Sequence, residues 1–168
     1  MRKKTRLITH GAMLAALYAA LCYLQNALIP NSASWVIQFR AAEALCVLAL
    51  FTPAAIPGLT LGCLAFNVSF AGALPLDFLV GSLATLLAAA AMYALRRVQV
   101  RGYPLPAMVM PAVFNALLIG WELDVYIGGG FFLNALYVAI GELAVLLTLG
   151  TVLFYALKQP RMMRIFAD

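Results

Sequence analysis

Trp121-Glu122-Leu123-Asp124-Val125-Tyr126-Ile127-Gly128-Gly129-Gly130-Phe131-Phe132-Leu133-Asn134 is the stretch that decides how this chain is read. One apolar run, carrying Asn115, ends in it; a second opens from it and continues through Tyr137 and Glu142. No basic residue lies between Arg101 and Lys158. Runs of about 20 apolar residues are what a helix needs to cross the roughly 30 Å hydrocarbon layer of a bilayer. The stretch therefore reads as the turn of a membrane-spanning helical hairpin, with carboxylates, amides and aromatic rings gathered at one end.

Composition extends that reading to the whole chain. Of its 168 residues 65% are hydrophobic and 10% charged, against about half apolar and a quarter charged in soluble domains. The expectation is an all-α integral membrane bundle of about six helices, one transmembrane domain over residues 1–168, with no room for a soluble domain. The net charge is +5, and ten of the eleven basic residues fall in clusters, Arg2, Lys3, Lys4 and Arg6; Arg96, Arg97 and Arg101; Lys158, Arg161 and Arg164, with only Arg40 elsewhere. Such clusters beside apolar spans mark cytoplasmic segments, so both termini are expected inside. That pattern argues against nucleic acid as a partner. Cys22, Cys46 and Cys63 lie in apolar runs without CxxC spacing and read as buried thiols, with no metal site.

Taken in order, the first span is Leu7 to Leu28, too long for the apolar part of a signal peptide. On it Ala12, Ala16 and Ala20 share one stripe, and Gly11, Ala15 and Ala19 the adjoining one. Small residues at this spacing let helices approach closely, either within the bundle or against a partner subunit. An outer loop at Pro30–Ser34 and Trp35 at the interface precede a second span that carries Gln38, Arg40 and Glu43 and runs to Phe51. Arg40 and Glu43, three apart, can pair with each other, and an ion pair joining helices is the structural alternative for Arg40. After the turn Thr52–Gly58, a third span reaches Phe70 with Asn67 near its outer end. The fourth opens on Asp77, a residue suited to the positive end of a helix dipole, and ends before Arg96. The fifth has Pro111 early, and the sixth runs from Asn134 to Leu157. Phe66-Asn67 with Gly81-Ser82-Leu83-Ala84 is echoed by Phe114-Asn115 with Gly141-Glu142-Leu143-Ala144, a faint internal repeat.

Gln38, Arg40, Glu43, Asn67, Asn115, Trp121, Glu122, Asp124, Asn134 and Tyr137 fall mostly in the outer half of the six spans. Carboxylates and amides at membrane depth are costly unless they pair or meet a ligand. Carboxylates accept from cations or paired N–H donors, amides read both edges, and aromatic rings stack, so the set suits a flat, nitrogen-rich solute. There is no phosphate-binding GxxxxGK[ST] loop, and no HExxH or GxSxG motif. The chain is thus read as a non-enzyme with no cofactor of its own and no catalytic residue. A proton-coupled transporter acting alone is the alternative in a different class, and a membrane enzyme stands behind it.

The segments Thr5-Arg6-Leu7-Ile8-Thr9-His10-Gly11-Ala12, Gln38-Phe39-Arg40-Ala41-Ala42-Glu43-Ala44-Leu45, Phe51-Thr52-Pro53-Ala54-Ala55-Ile56-Pro57-Gly58, Leu74-Pro75-Leu76-Asp77 and Gly120-Trp121-Glu122-Leu123, in this order and spacing, resemble the QueT family. Its members are described as substrate-binding S components of energy-coupling factor (ECF) importers for queuosine precursors. The resemblance implies a six-helix subunit of the cell membrane that captures a 7-deazaguanine, such as 7-aminomethyl-7-deazaguanine, from outside. It also implies a transmembrane coupling subunit and two ATPases that consume ATP, with Ala12, Ala16 and Ala20 contacting the coupling subunit. No ligand set is carried over from the family. From depth and chemistry, Glu122 is nominated for the purine-like edge, and Glu43 or Asp124 for the amine. Asn67, Asn115 and Asn134 are nominated for carbonyl or ring nitrogen, and Trp121 or Tyr137 for stacking, with Gln38 and Arg40 completing the pocket.

Overall fold

The computed structural model describes residues 2–30, 39–70, 73–160 and 162, and every regular element among them is helical. Four continuous stretches are long and apolar enough to cross a membrane: Lys4–Leu28, Asp77–Leu95, Leu105–Tyr126 and Phe131–Leu157. Two shorter apolar helices, Ala41–Leu50 and Ala55–Ser69, complete six elements in the expected order. Helix α1 (Arg2–Leu28) begins earlier than the apolar run, because its basic residues continue the helix. The second element is helical only from Ala41, and its ten residues form a 3₁₀-helix. Trp35, Gln38 and the loop residues Asn31–Ser34 lie outside the described residues.

Helix α2 (Ala55–Ser69) and α3 (Asp77–Leu95) form the next hairpin. The fifth span is divided at Val109 into α4 (Leu105–Met108) and α5 (Met110–Tyr126), each with a proline in its first turn, at Pro106 and Pro111. Proline fits a helix start, where its missing N–H has no intrahelical partner to lose. The sixth is α6 (Phe131–Val145), a π-helical turn at Leu146–Gly150, and α7 (Thr151–Leu157).

Glycine sets the closest helix contacts. A Cβ at Gly58 of α2 would lie 2.7 Å from the Gly11 carbonyl oxygen of α1, and one at Gly62 would lie 2.6 Å from that of Ala15. The Gly11 and Ala15 stripe therefore packs inside the bundle, backbone against backbone, as small-xxx-small pairs do. Gly120 of α5 meets Ala135 of α6 in the same way, with its missing Cβ only 2.8 Å from the Ala135 Cα.

The alternation of the helices gives the bundle two unlike ends. Leu50 and Phe51 lie at one end beside Arg96 and Lys158, and Tyr103 bonds Thr151 there at 2.6 Å. A core of Tyr18, Val47, Leu59, Met92 and Met108 fills the bundle behind this basic end. The other end holds the α5–α6 turn and the start of α3, together with most of the buried polar groups.

Candidate substrate site

The 3₁₀ segment stacks residues three apart directly above one another. Cys46 thus sits over Glu43 and donates its thiol to Oε2 at 3.2 Å. Tyr18 of α1 donates its hydroxyl to Oε1 of the same carboxylate. Glu43 and Tyr18 are both fully buried. Tyr18 was not among the nominated residues; its signal in the sequence is its place between Leu14 and Cys22, four residues from each on the buried face of an otherwise alanine-rich helix.

Arg40, at the entrance to the same segment, reaches Asp77 across the bundle, with Nη2 3.3 Å from Oδ2 and 3.4 Å from Oδ1. The two charges lie 37 positions apart, so this ion pair joins helices, where sequence spacing had suggested Glu43 as the partner. Asp77 begins α3, but no side-chain cap bond forms at that terminus. Its carboxylate, in the first turn of the helix, answers the Arg40 charge as well as the helix dipole. Asn67 of α2 donates its Nδ2 to the Asp77 carbonyl oxygen at 2.9 Å. Gly81 makes room for the group: a Cβ there would stand 2.8 Å from Asn67 Nδ2 and 2.9 Å from Asp77 Oδ1. Asn67 also lines a cavity of about 410 Å³ between α2 and α3, with Phe70, Leu74 and Phe78.

On α5 and α6 the polar groups are arranged differently. Glu122 is fully buried, and neither carboxylate oxygen has a hydrogen-bond partner. It lies within Coulombic range of Asp77 and Arg40. Glu142, 1% exposed, lies beside Asn115 and within Coulombic range of Glu43 and Arg40. Its Oε2 and the Asn115 Nδ2 are left without partners. Among the described residues, four buried carboxylates, Glu43, Asp77, Glu122 and Glu142, thus share one buried cation, Arg40. A low-dielectric site with that imbalance favours a donor-rich or positively charged guest.

The remaining nominees serve the turn. Asp124 Oδ1 accepts from the Gly130 N–H and Asn134 Nδ2 donates to the Gly128 carbonyl, each at 2.9 Å. Gly128, Gly129 and Gly130 all have positive φ, between 81° and 95°, a conformation side chains rarely tolerate. Trp121 is half exposed at 49%, and Tyr137 half-buried. The structure therefore brings Arg40, Glu43, Glu122, Asn67, Asn115 and Glu142 together with Tyr18 and Asp77, while Asp124 and Asn134 fix the loop beside them. Gln38 lies outside the described residues.

On α1, Ala12, Ala16 and Ala20 are exposed, although the adjoining Gly11 and Ala15 pack on α2. Only 11% of the apolar window of α1 is buried, against 33–44% for the other three long spans.

No curated protein and no solved structure matches this chain. A family model described as "QueT transporter" matches residues 8–159. That match, over most of a chain whose apolar helices are long enough to span a bilayer, points to membrane transport of a small substrate, and the chain belongs to the QueT transporter family.

Proposed function

We propose that this chain is the substrate-capturing S component of an ECF-type importer in the cell membrane, and that it binds a 7-deazaguanine precursor of queuosine from outside. The observation that carries the reading is the set of buried side-chain atoms without a partner. Among the described residues four are acceptors, Asn67 Oδ1, both Glu122 oxygens and Glu142 Oε2, and one is a donor, Asn115 Nδ2. Leaving a buried polar atom unmatched costs about 1–3 kcal/mol, more for a charge, so a ligand that supplies the missing partners gains that energy on binding. A 7-aminomethyl-7-deazaguanine is rich in donors: adjacent ring and exocyclic N–H groups for the two oxygens of Glu122, and an ammonium for Glu142 or Glu43. Its carbonyl would accept from Asn115, and Tyr137 or Trp121 would stack on the ring.

The exposed Ala12-Ala16-Ala20 stripe suits a coupling subunit, which with two ATPases would supply the energy this chain has no motif to harvest. In this reading the glycine loop and the polar end face outward and both termini lie inside. A cysteine introduced at Gly129 labels from outside intact cells, and one near Arg101 does not.

Binding of 7-aminomethyl-7-deazaguanine to the purified chain, set against guanine, tests the ligand. Sub-micromolar affinity for the former and at least tenfold weaker binding of the latter is expected. Failure to bind any 7-deazapurine overturns it. The excess of buried carboxylates also favours a second reading, a proton-coupled transporter acting alone. Proteoliposomes containing only this chain separate the two: uptake driven by a pH gradient supports the second, and uptake that requires co-reconstituted coupling subunits and ATP supports the first.

A further inference from the structure

A second cavity, of about 190 Å³, lies at the opposite, basic end of the bundle. Its wall has two chemistries. Leu50, Phe51 and Phe154 form an apolar floor, with the two rings 6.0 Å apart. Arg96, Gln99 and Lys158 supply nitrogen donors around it. The Arg96 guanidinium lies 3.7 Å from the centre of the Tyr93 ring and donates Nη1 to the Tyr93 carbonyl, which holds it at the end of α3. A guanidinium has five N–H groups, so donors remain. The Lys158 ammonium stands 5.7 Å from the Phe154 ring. Among the described residues no carboxylate lines this cavity, whose wall is completed by Pro104, and the one ion pair is Arg40 with Asp77.

We propose that this cavity binds the headgroup phosphate of an anionic phospholipid, with Arg96, Lys158 and Gln99 donating to phosphate oxygens and Leu50, Phe51 and Phe154 receiving the glycerol and first acyl carbons. Basic pockets between transmembrane helices bind such headgroups, and the site sits at the end of a membrane-spanning bundle, at headgroup depth. The apolar floor selects a lipid over free phosphate, which would leave those rings unused. With two cations and no carboxylate among the described lining residues, the cavity selects an anionic lipid over a zwitterionic one, whose own cation would be set against Arg96 and Lys158.

Native mass spectrometry of the purified full chain, titrated with phosphatidylglycerol, phosphatidylcholine and glycerol 3-phosphate, tests this. One phosphatidylglycerol should be retained at least tenfold more tightly than phosphatidylcholine, and glycerol phosphate should not be retained. The double variant Arg96→Gln with Lys158→Gln should lose at least tenfold, while Arg97→Gln, which alters an exposed residue outside the cavity, should change binding less than twofold. Equal losses in both variants would mean diffuse surface charge, and retention of glycerol phosphate would mean a free-phosphate site; either overturns the proposal. Photoreactive phosphatidylglycerol on the unmutated chain guards against a variant that does not fold. Crosslinks should map to the peptides containing Phe51 and Phe154, and their absence from both overturns the proposal as well.

Discussion

The hairpins α2–α3 and α5–α6 carry similar polar residues and treat them in opposite ways. In the first, Asn67 donates to the backbone of Asp77 and Asp77 is paired with Arg40, so that only Asn67 Oδ1 is left without a partner among the described residues. In the second, Asn115 lies beside Glu142, but both have atoms without partners, and Glu122 has two. The faint repeat that relates Asn67 to Asn115 thus separates a tied copy from an open one. A satisfied polar group fixes the bundle, whereas an unsatisfied one keeps binding capacity in reserve. On the proposed reading the first hairpin is mostly scaffold, offering only Asn67 Oδ1, and the second supplies most of the groups that would meet a solute.

The sharpest way to break this contrast is Arg40→Met. It leaves Asp77 buried without its cation, and losing one partner of a buried pair costs about 3–5 kcal/mol. Thermal unfolding in detergent should drop by many degrees; a shift within error would make the pair dispensable and the scaffold assignment wrong. Glu122→Gln should do the reverse, with melting unchanged or raised and affinity for 7-aminomethyl-7-deazaguanine lowered more than tenfold. A charge-assisted bond is worth about 1.5–3 kcal/mol, and one amide oxygen cannot replace two carboxylate oxygens. Unaltered affinity in folded Glu122→Gln protein removes that residue from the site.

Two smaller effects sharpen the comparison. Gly81→Ala pushes a methyl against Asn67 and Asp77, and about 1–3 kcal/mol of stability should be lost, as in other overpacked sites. Unchanged stability would show that the Asn67–Asp77 group can move aside. Ala16→Leu changes an exposed position, so stability should stay within about 0.5 kcal/mol and ligand binding should survive. Co-purification with coupling subunits should fall. Lost stability with assembly intact would assign the stripe to the bundle itself.

Run lengths and charge clusters made the six apolar elements and their order legible, because crossing a hydrocarbon layer constrains local sequence directly. The small residues of α1 were legible as a packing device. Which of the two stripes packs inside was not: Gly11 and Ala15 meet α2 while Ala12 and Ala16 stay exposed, and a rotation of one residue about the helix axis separates the two outcomes. The 3₁₀ winding of Ala41–Leu50 had no sequence signal either, since alanine and leucine favour the α-helix. Pairings were least legible. Tyr18 reaches Glu43 over 25 positions and Arg40 reaches Asp77 over 37, and each pair joins two different elements, so the periodicity of one helix says nothing of it. Gln25 is a further case: it donates to the Phe39 carbonyl and accepts from the Ala41 N–H at 2.7 Å, tying α1 to the entrance of the 3₁₀ segment.

That 3₁₀ winding gives one element extra reach. Ten residues rise about 20 Å at 2.0 Å each, but only about 15 Å when wound as an α-helix. Rewinding would draw its ends about 5 Å closer and turn Glu43 and Cys46 off their common edge. The 3₁₀ pitch thus lets ten residues cover roughly one helical turn more of the depth between the polar and basic ends, with Glu43 and Cys46 held on one edge.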